Sequence, residues 1–421
     1  MGKMKIRNIL RFVWGIIDVL TKRRYCFISP SVKISNVACD EGSYYLTEFE
    51  SEFAKGVGGG ECVSFGAGRM AFYAVLKALG INQDDEVILT GFTCSVMANA
   101  VLRLGAKVKY CDVDRDTLGM SPQALIDTIS DKTKVVVAQH SFGIPCKIDE
   151  ICSICKEKGV YLVEDCALSY MSKYKGKYVG DYGDAAIFST DHTKPINTLI
   201  GGLAYSRNPK LLSALRLIQR ESSDFSQDHI ERVLARYRLE HRLVKRGRYN
   251  YYLLWYYFHL LRLRLKHKSD QVYLTSDTSP YKEDSWYTYP SRIPIPVAML
   301  GIAVLKKYRN EIDTRKRILS DYLKIVDRSR LPQAYFDNNS DIIPLRLVYY
   351  SIGFNNDERV WKYLCGVWFL NPIINTECEL NSFCYFNTCS NSELIGKRII
   401  NIPVLFDRRD RDFLYNKIVD V

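Results

Sequence analysis

Lys194 stands five residues after Ser189, and Ser189 closes the apolar run Ala185-Ala186-Ile187-Phe188. Upstream, a second apolar run, Val160-Tyr161-Leu162-Val163, ends in Glu164-Asp165. Buried strands that stop in an acid, and in a hydroxyl followed by a lysine, put three polar groups at one sheet edge. In open α/β sheets the carboxyl ends of the strands are where ligands bind. The trio suits pyridoxal 5'-phosphate. The Lys194 amine forms the Schiff base, Asp165 keeps the ring nitrogen protonated so that the ring withdraws electrons, and Ser189 holds the phosphate. Each residue alone is ordinary, and the order and spacing carry the reading.

The elements that must position these groups are legible around them. Val63-Ser64-Phe65-Gly66-Ala67-Gly68-Arg69-Met70 leads into a helical stretch, Ala71 to Leu79, ended by Gly80. Glycines at a helix start let backbone N–H groups face a phosphate. Short apolar runs alternate with helical stretches from Glu86 to Tyr205, which reads as a mostly parallel sheet with crossover helices. A change in texture near Tyr289-Pro290 marks the start of a smaller C-terminal domain. The 421 residues suffice for two domains and one large core.

The chain resembles the DegT/DnrJ/EryC1/StrS family of sugar aminotransferases. The resemblance rests on Gly66 to Ala71, Asp85 to Thr90, Gly105 to Asp114, His140-Ser-Phe-Gly143 and Glu164-Asp165-Cys166-Ala167. It continues through Tyr174 to Gly180, Gly183 to Ser189, Lys194 and Gly201-Gly202, and is dense from about residue 60 to 210. It implies a pyridoxal-phosphate-dependent transferase of fold type I: an α/β large domain with a mostly parallel central sheet flanked by helices, plus a smaller α+β domain. Carried over by position, Lys194 and Asp165 are catalytic, and Ser189 with the backbone of Gly68 and Arg69 holds the phosphate. Cys94 stands where the family has an aromatic ring against the cofactor, and Leu168 where it has glutamine or histidine. A thiol covers less of a π-face than an aromatic ring does, and leucine forms no hydrogen bond. His140 and His192 flank the site as candidate substrate contacts, with His140 equally suited to lining the cofactor pocket or to a structural role. Arg292 aligns with a family arginine near the subunit boundary, although Pro290 replaces the usual asparagine.

The resemblance further implies an aminotransferase that moves an amino group from an amino acid, by analogy glutamate, to a nucleotide-linked keto sugar for polysaccharide or glycoconjugate biosynthesis, working as a homodimer. Two alternatives stay open: a different sugar-modifying reaction, or a non-catalytic, membrane-associated scaffold that keeps the fold. The expected division is a basic amphipathic segment at 1–30, a large domain at 31–285 with an insertion at about 211–285, and a small domain at 286–421.

Charge is concentrated in two places. The chain as a whole carries +12. Residues 231–268 hold eleven basic residues against Glu231 and Glu240, a net +9, and residues 1–24 hold a net +6, so the remainder is slightly acidic. Both segments contain apolar or aromatic runs, Phe12 to Ile17 and Tyr251 to Phe258, and neither reaches the roughly 20 apolar residues that cross a bilayer. Basic residues beside such runs suit a helix lying on an anionic membrane surface; packing on a partner subunit or binding a polyanionic substrate also suits them. No nucleic-acid motif is present. Thirteen cysteines, an odd number scattered through expected strands and helices, point to a reducing compartment, hence a cytoplasmic protein, peripheral at most on the inner membrane face. Cys152 and Cys155 lack a second pair at zinc spacing, and no metal is expected.

Overall fold

The computed structural model describes residues 42–244, 249–266, 287–352 and 389–418, together with the strand at 384–386 and a few single positions. The basic segment 1–24, apart from Ile17, lies outside the described residues.

The chain begins with α1 (Gly42–Ala54), β1 (Glu61–Phe65) and α2 (Gly68–Ala78), followed by β2 (Glu86–Thr90), α3 (Ser95–Leu102) and β3 (Lys107–Cys111). Then come α4 (Pro122–Thr128), β4 (Thr133–Gln139), α5 (Ile148–Lys158) and β5 (Tyr161–Asp165). After the short strands β6 (Lys173–Tyr174) and β7 (Lys177–Tyr178), β8 (Ala185–Ser189) and β9 (Gly202–Ser206) complete this half. Strands β2, β4, β5 and β8 are almost wholly buried, as near-continuous apolar runs require when helices cover both sheet faces.

The main sheet runs β1-β9-β8-β5-β4-β2-β3-β12, where β12 is Cys384–Phe386. Pairings from β8 through β12 are parallel, and β9 runs antiparallel to both its neighbours. Because β1 and β8 each oppose β9, their carboxyl ends fall on the same edge. Phe65 and Ser189 both pair with Gly202, which puts the glycine turn after β1 beside the end of β8.

Three further helices follow: α6 (Pro209–Glu221), α7 (Gln227–Val244) and α8 (Tyr249–Leu265). The last two form the inserted helical pair, and it is not an appendage. Val233 and Tyr237 of α7 are buried in the large core with Ile196, Leu199 and Ile200. The aromatic run of α8 divides by face. Tyr252, Trp255, Tyr256 and His259 stack along one side, and the buried Arg236 lies over the Trp255 and Tyr256 rings. Tyr251, Phe258 and Leu265, spaced by seven, are 66%, 55% and 75% exposed.

The 29-residue α9 (Ile295–Leu323) links two cores. Val297 to Tyr308 pack in the large cluster; Ile318, Leu319 and Tyr322 join a second one. A Cβ on Gly301 would lie 2.4 Å from the Phe49 ring, so α9 and α1 approach this closely only with glycine there. Besides the pair β10 (Ser340–Asp341) with β6, the C-terminal part contains β11 (Arg346–Tyr350), α10 (Ser390–Arg398), β13 (Ile399–Pro403) and α11 (Arg408–Ile418), with β11 antiparallel to β13. The Asp112 carboxylate accepts from the N–H groups of Asn391 and Ser392 at 2.9 and 2.8 Å, tying α10 to the large sheet.

Candidate active site

Asp165, at the end of β5, is 5% exposed, and its Oδ1 accepts from the Ala167 N–H at 3.0 Å. Burial pushes its carboxyl above the usual range, while the Ala167 hydrogen bond and the charge of Lys194 pull the other way. One strand over, the His140 N–H donates to the Asp165 carbonyl at 3.0 Å.

The His140 ring is buried and turned toward Glu164. Its Nδ1 accepts from the Cys146 N–H at 3.1 Å, which leaves the ring proton on Nε2, 3.1 Å from Glu164. Glu164 also accepts from the N–H groups of Gly180, Tyr182 and Gly183 at 2.7 to 2.8 Å. Glu164, His140 and Cys166 lie within metal-ligand reach of one another. The four donors already on Glu164 nevertheless make this a structural box that fixes the strand ends under the site.

Ser189 ends β8 against Gly68. A Cβ on Gly68 would sit 2.8 Å from the Ser189 Cβ, and one on Gly202 would sit 2.2 Å from the Gly68 nitrogen. Two glycines therefore create this approach. Helix α2 starts at Gly68 with Ala67 at its cap position, so no side chain caps it. A helix start of this kind beside a serine hydroxyl is a cradle for a phosphate. The Arg69 guanidinium turns away, to the Leu274 carbonyl and, at 3.2 Å, the Tyr287 hydroxyl.

Lys194 sits on the loop 190–201 that joins β8 to β9. The loop is clamped at its base: the Thr198 hydroxyl donates to Thr190 Oγ1 at 2.8 Å, the Thr190 hydroxyl to the Ile200 carbonyl at 3.1 Å, and the Thr190 N–H to the Gly201 carbonyl at 2.9 Å. A tight turn, Lys194 N–H to the Asp191 carbonyl at 3.0 Å, sets the start of the lysine side chain. Lys194 interacts electrostatically with Asp165, Asp191 and His192. Enclosure would raise the Asp191 carboxyl, but His192, Lys194 and Arg69 bring it down to about 2. His192 contacts Asp191 through Nδ1.

Cys94 is half-buried at the cap position of α3, beyond the carboxyl end of β2, and Leu168 is buried in the turn after β5. Gln139 ties the β2 loop to β4 by donating to the Phe92 carbonyl at 3.0 Å. The carboxyl edge thus gathers Gly68, Cys94, His140, Asp165, Leu168, Ser189, His192 and Lys194. Arg292 is engaged elsewhere, in a two-pronged pair with Asp224 at 2.8 and 2.6 Å and with the Arg220 carbonyl at 3.2 Å. Sequence reasoning missed Asp191 and the Thr190–Thr198 clamp. Asp191 could have been found beside His192.

A lysine, a buried acid and a phosphate cradle on one edge fit pyridoxal phosphate. Residues 35–240 match the model of the DegT/DnrJ/EryC1/StrS aminotransferase family. GDP-perosamine synthase of Escherichia coli O157:H7 is 35% identical over 167 residues, 40% of this chain and 46% of that protein. UDP-2-acetamido-2-deoxy-3-oxo-D-glucuronate aminotransferase of Pseudomonas aeruginosa is 35% identical over 194 residues, 45% of this chain and 54% of its own. The chain spans about half the length of these curated relatives. A solved structure, S. venezuelae DesV in complex with a ketimine intermediate, covers 100% of this chain and 96% of its own, with a TM-score of 0.66 and 17% identity. That likeness shows the fold: type I of the pyridoxal-phosphate-dependent transferases, with a mostly parallel central sheet flanked by helices.

Proposed function

We propose, for a chain that through residues 35–240 belongs to the DegT/DnrJ/EryC1/StrS aminotransferase family, a pyridoxal-phosphate-dependent transfer of an amino group from an amino acid to a nucleotide-linked keto sugar. Glutamate is the proposed donor, and polysaccharide or glycoconjugate biosynthesis the proposed setting. The observation that carries this reading is the meeting of Lys194, Asp165, Ser189 and the Gly68 helix start at one sheet edge. When bound, the cofactor supplies an electron sink for the negative charge that develops at the donor's α-carbon. The Ser189 hydroxyl and the first N–H groups of α2 would hold its phosphate. Asp165 would keep a proton on its pyridine nitrogen. The Lys194 amine would anchor it at rest and would carry a proton to and from the donor's α-carbon. His140, bonded to Glu164, would fix the strand end that carries Asp165, and His192 is the proposed substrate contact. The relatives named for GDP- and UDP-linked sugars support a nucleotide-linked acceptor.

A homodimer and a division into a large domain to about residue 285 and a small domain from 286 belong to the same proposal. So does peripheral attachment to an anionic membrane face through 1–24 and 231–268. Among the described residues no helix is long and apolar enough to cross a membrane. Cys94 and Leu168 favour, as the second reading, a different reaction on the sugar or a scaffold role, since neither offers the ring the contact the family's residues do.

Borohydride reduction of the purified protein followed by peptide mapping should place the phosphopyridoxyl mass on Lys194, and Lys194→Ala should abolish transamination while leaving the fold intact. A label on Lys173, Lys175 or Lys177 would overturn the assignment. A protein purified without visible absorbance, and gaining none on addition of pyridoxal phosphate, would favour the scaffold reading.

A further inference from the structure

We propose that Thr190 and Thr198 are positioning residues for Lys194: their two hydroxyls, buried and paired with each other across the base of the lysine loop, give the Lys194 amine one fixed position from which to meet the cofactor. The part played by Lys194 rests on the aminotransferase reading above; the pairing of the threonines does not.

Thr190 and Thr198 are both 0% exposed. Seven residues lie between them, and Lys194 is the fourth. Backbone and side chains close this span together. The Thr198 N–H donates to the Thr190 carbonyl at 2.9 Å, and the Thr198 hydroxyl to Thr190 Oγ1 at 2.8 Å. The Thr190 hydroxyl donates in turn to the Ile200 carbonyl at 3.1 Å. Both hydroxyl protons are thereby used, and in a buried chain of this kind each bond strengthens the next. Gly201 completes the base. Its carbonyl accepts from the Thr190 N–H at 2.9 Å, and a Cβ there would lie 2.4 Å from Thr190 Oγ1. Only glycine leaves room for the hydroxyl pair.

The returning limb of the loop is held under strain. Leu199 is buried with a φ of +69°, in the left-handed region that leucine avoids. Such a residue persists where its surroundings over-determine it. Asn197 Oδ1 accepts from the Leu199 N–H at 3.0 Å, and Ile196, Leu199 and Ile200 pack into the large core. Apolar packing is non-directional. It holds this limb against the core without setting its distance from the limb that leaves β8. The hydroxyl pair sets that distance, and the turn from Asp191 to Lys194 then starts the lysine side chain in one direction. A reacting group displaced by about 1 Å loses roughly a hundredfold in rate, so the base of the loop matters to its apex.

Thr198→Val keeps the shape and removes one hydroxyl, while Thr190 retains its bond to the Ile200 carbonyl. In the full-length holoprotein, amide hydrogen exchange across 190–201 should be roughly fivefold to tenfold faster in this variant, with the rest of the chain unaltered. In steady-state assays kcat should fall by roughly tenfold or more, with little change in KM for donor or acceptor. Thr198→Ser restores the hydroxyl and should restore both slow exchange and kcat. Unchanged exchange in Thr198→Val overturns the clamp, whatever reaction the protein proves to catalyse. Faster exchange with an unaltered kcat overturns the positioning of Lys194. A Thr198→Ser protein as impaired as Thr198→Val overturns the assignment to the hydroxyl. Should Thr198→Val fail to fold, the unaltered holoprotein decides: rapid exchange of the Thr190 and Thr198 N–H groups overturns the clamp, and slow exchange together with an intact Thr198→Ser supports it.

Discussion

Burial lifts the Asp165 carboxyl above the ordinary carboxylate range, against the Ala167 N–H and the charge of Lys194. An acid raised on folding binds its proton more tightly in the native state. Its contribution to stability is therefore greatest at low pH and declines as pH rises from the usual carboxylate range through the folded value, staying low beyond it. Asp165→Asn removes the buried charge while keeping the shape. Thermal stability at pH 8 should hold or rise, and turnover should fall by about a hundredfold or more. Near-normal turnover in that variant would take Asp165 out of the proposed role. For His192 the sign is opposite: its raised imidazole contributes stability below its ordinary range near 6.5, lost as pH climbs through the folded value.

At the scale of elements, the inserted pair α7–α8 is built around Arg236. Its guanidinium pairs with Asp270 at 2.9 Å while covering the Trp255 and Tyr256 rings, and the side chains of Arg236 and Asp270 are 3% and 11% exposed. Removing one partner leaves the other charge poorly solvated. Arg236→Ala should cost about 3 kcal/mol in denaturant unfolding, and adding Asp270→Ala should recover a good part of that loss. Additive losses would show that the ion pair does not couple the hairpin. The same packing changes the expectation for the segment 231–268. Val233 and Tyr237 belong to the main core, so deleting the segment should unfold the large domain instead of trimming a surface attachment.

Among the described residues, the proposed membrane face is what the hairpin leaves outward. Trp255 is stacked on His259 and Arg236, so the exposed apolar stripe is Tyr251, Phe258 and Leu265. Arg262, Arg264, Lys266 and Lys268 stand exposed at its end. Vesicles with anionic lipid should float the protein, and neutral vesicles should do so far less. Replacing those four cations by glutamine should cost about 1 kcal/mol of binding each, and salt should weaken binding without removing the aromatic part. Equal capture by neutral vesicles would remove the electrostatic half of the proposal. Capture by neither would leave the stripe to the partner subunit of the proposed homodimer.

Asp165, Ser189 and Lys194 could be brought to one edge from sequence because strand ends are local features. Apolar runs of four or five residues that stop in polar ones mark the carboxyl ends, and a mostly parallel sheet lines those ends up. The glycine turn at Gly66 to Gly68 was legible for the same reason, since a helix start after a strand is written in adjacent residues. What the sequence left open was every contact made by residues distant along the chain. Nothing near Glu164 announced the N–H groups of Gly180, Tyr182 and Gly183, and nothing near Arg292 announced Asp224. The aromatic run of α8 read as one surface because a helix shows its faces only once a neighbour selects the buried one. Glu240 met the Tyr252 hydroxyl only because α7 and α8 pack against each other. Local pattern set the strand ends and so the chemistry; the orientation of packed helices decided which charges surround it.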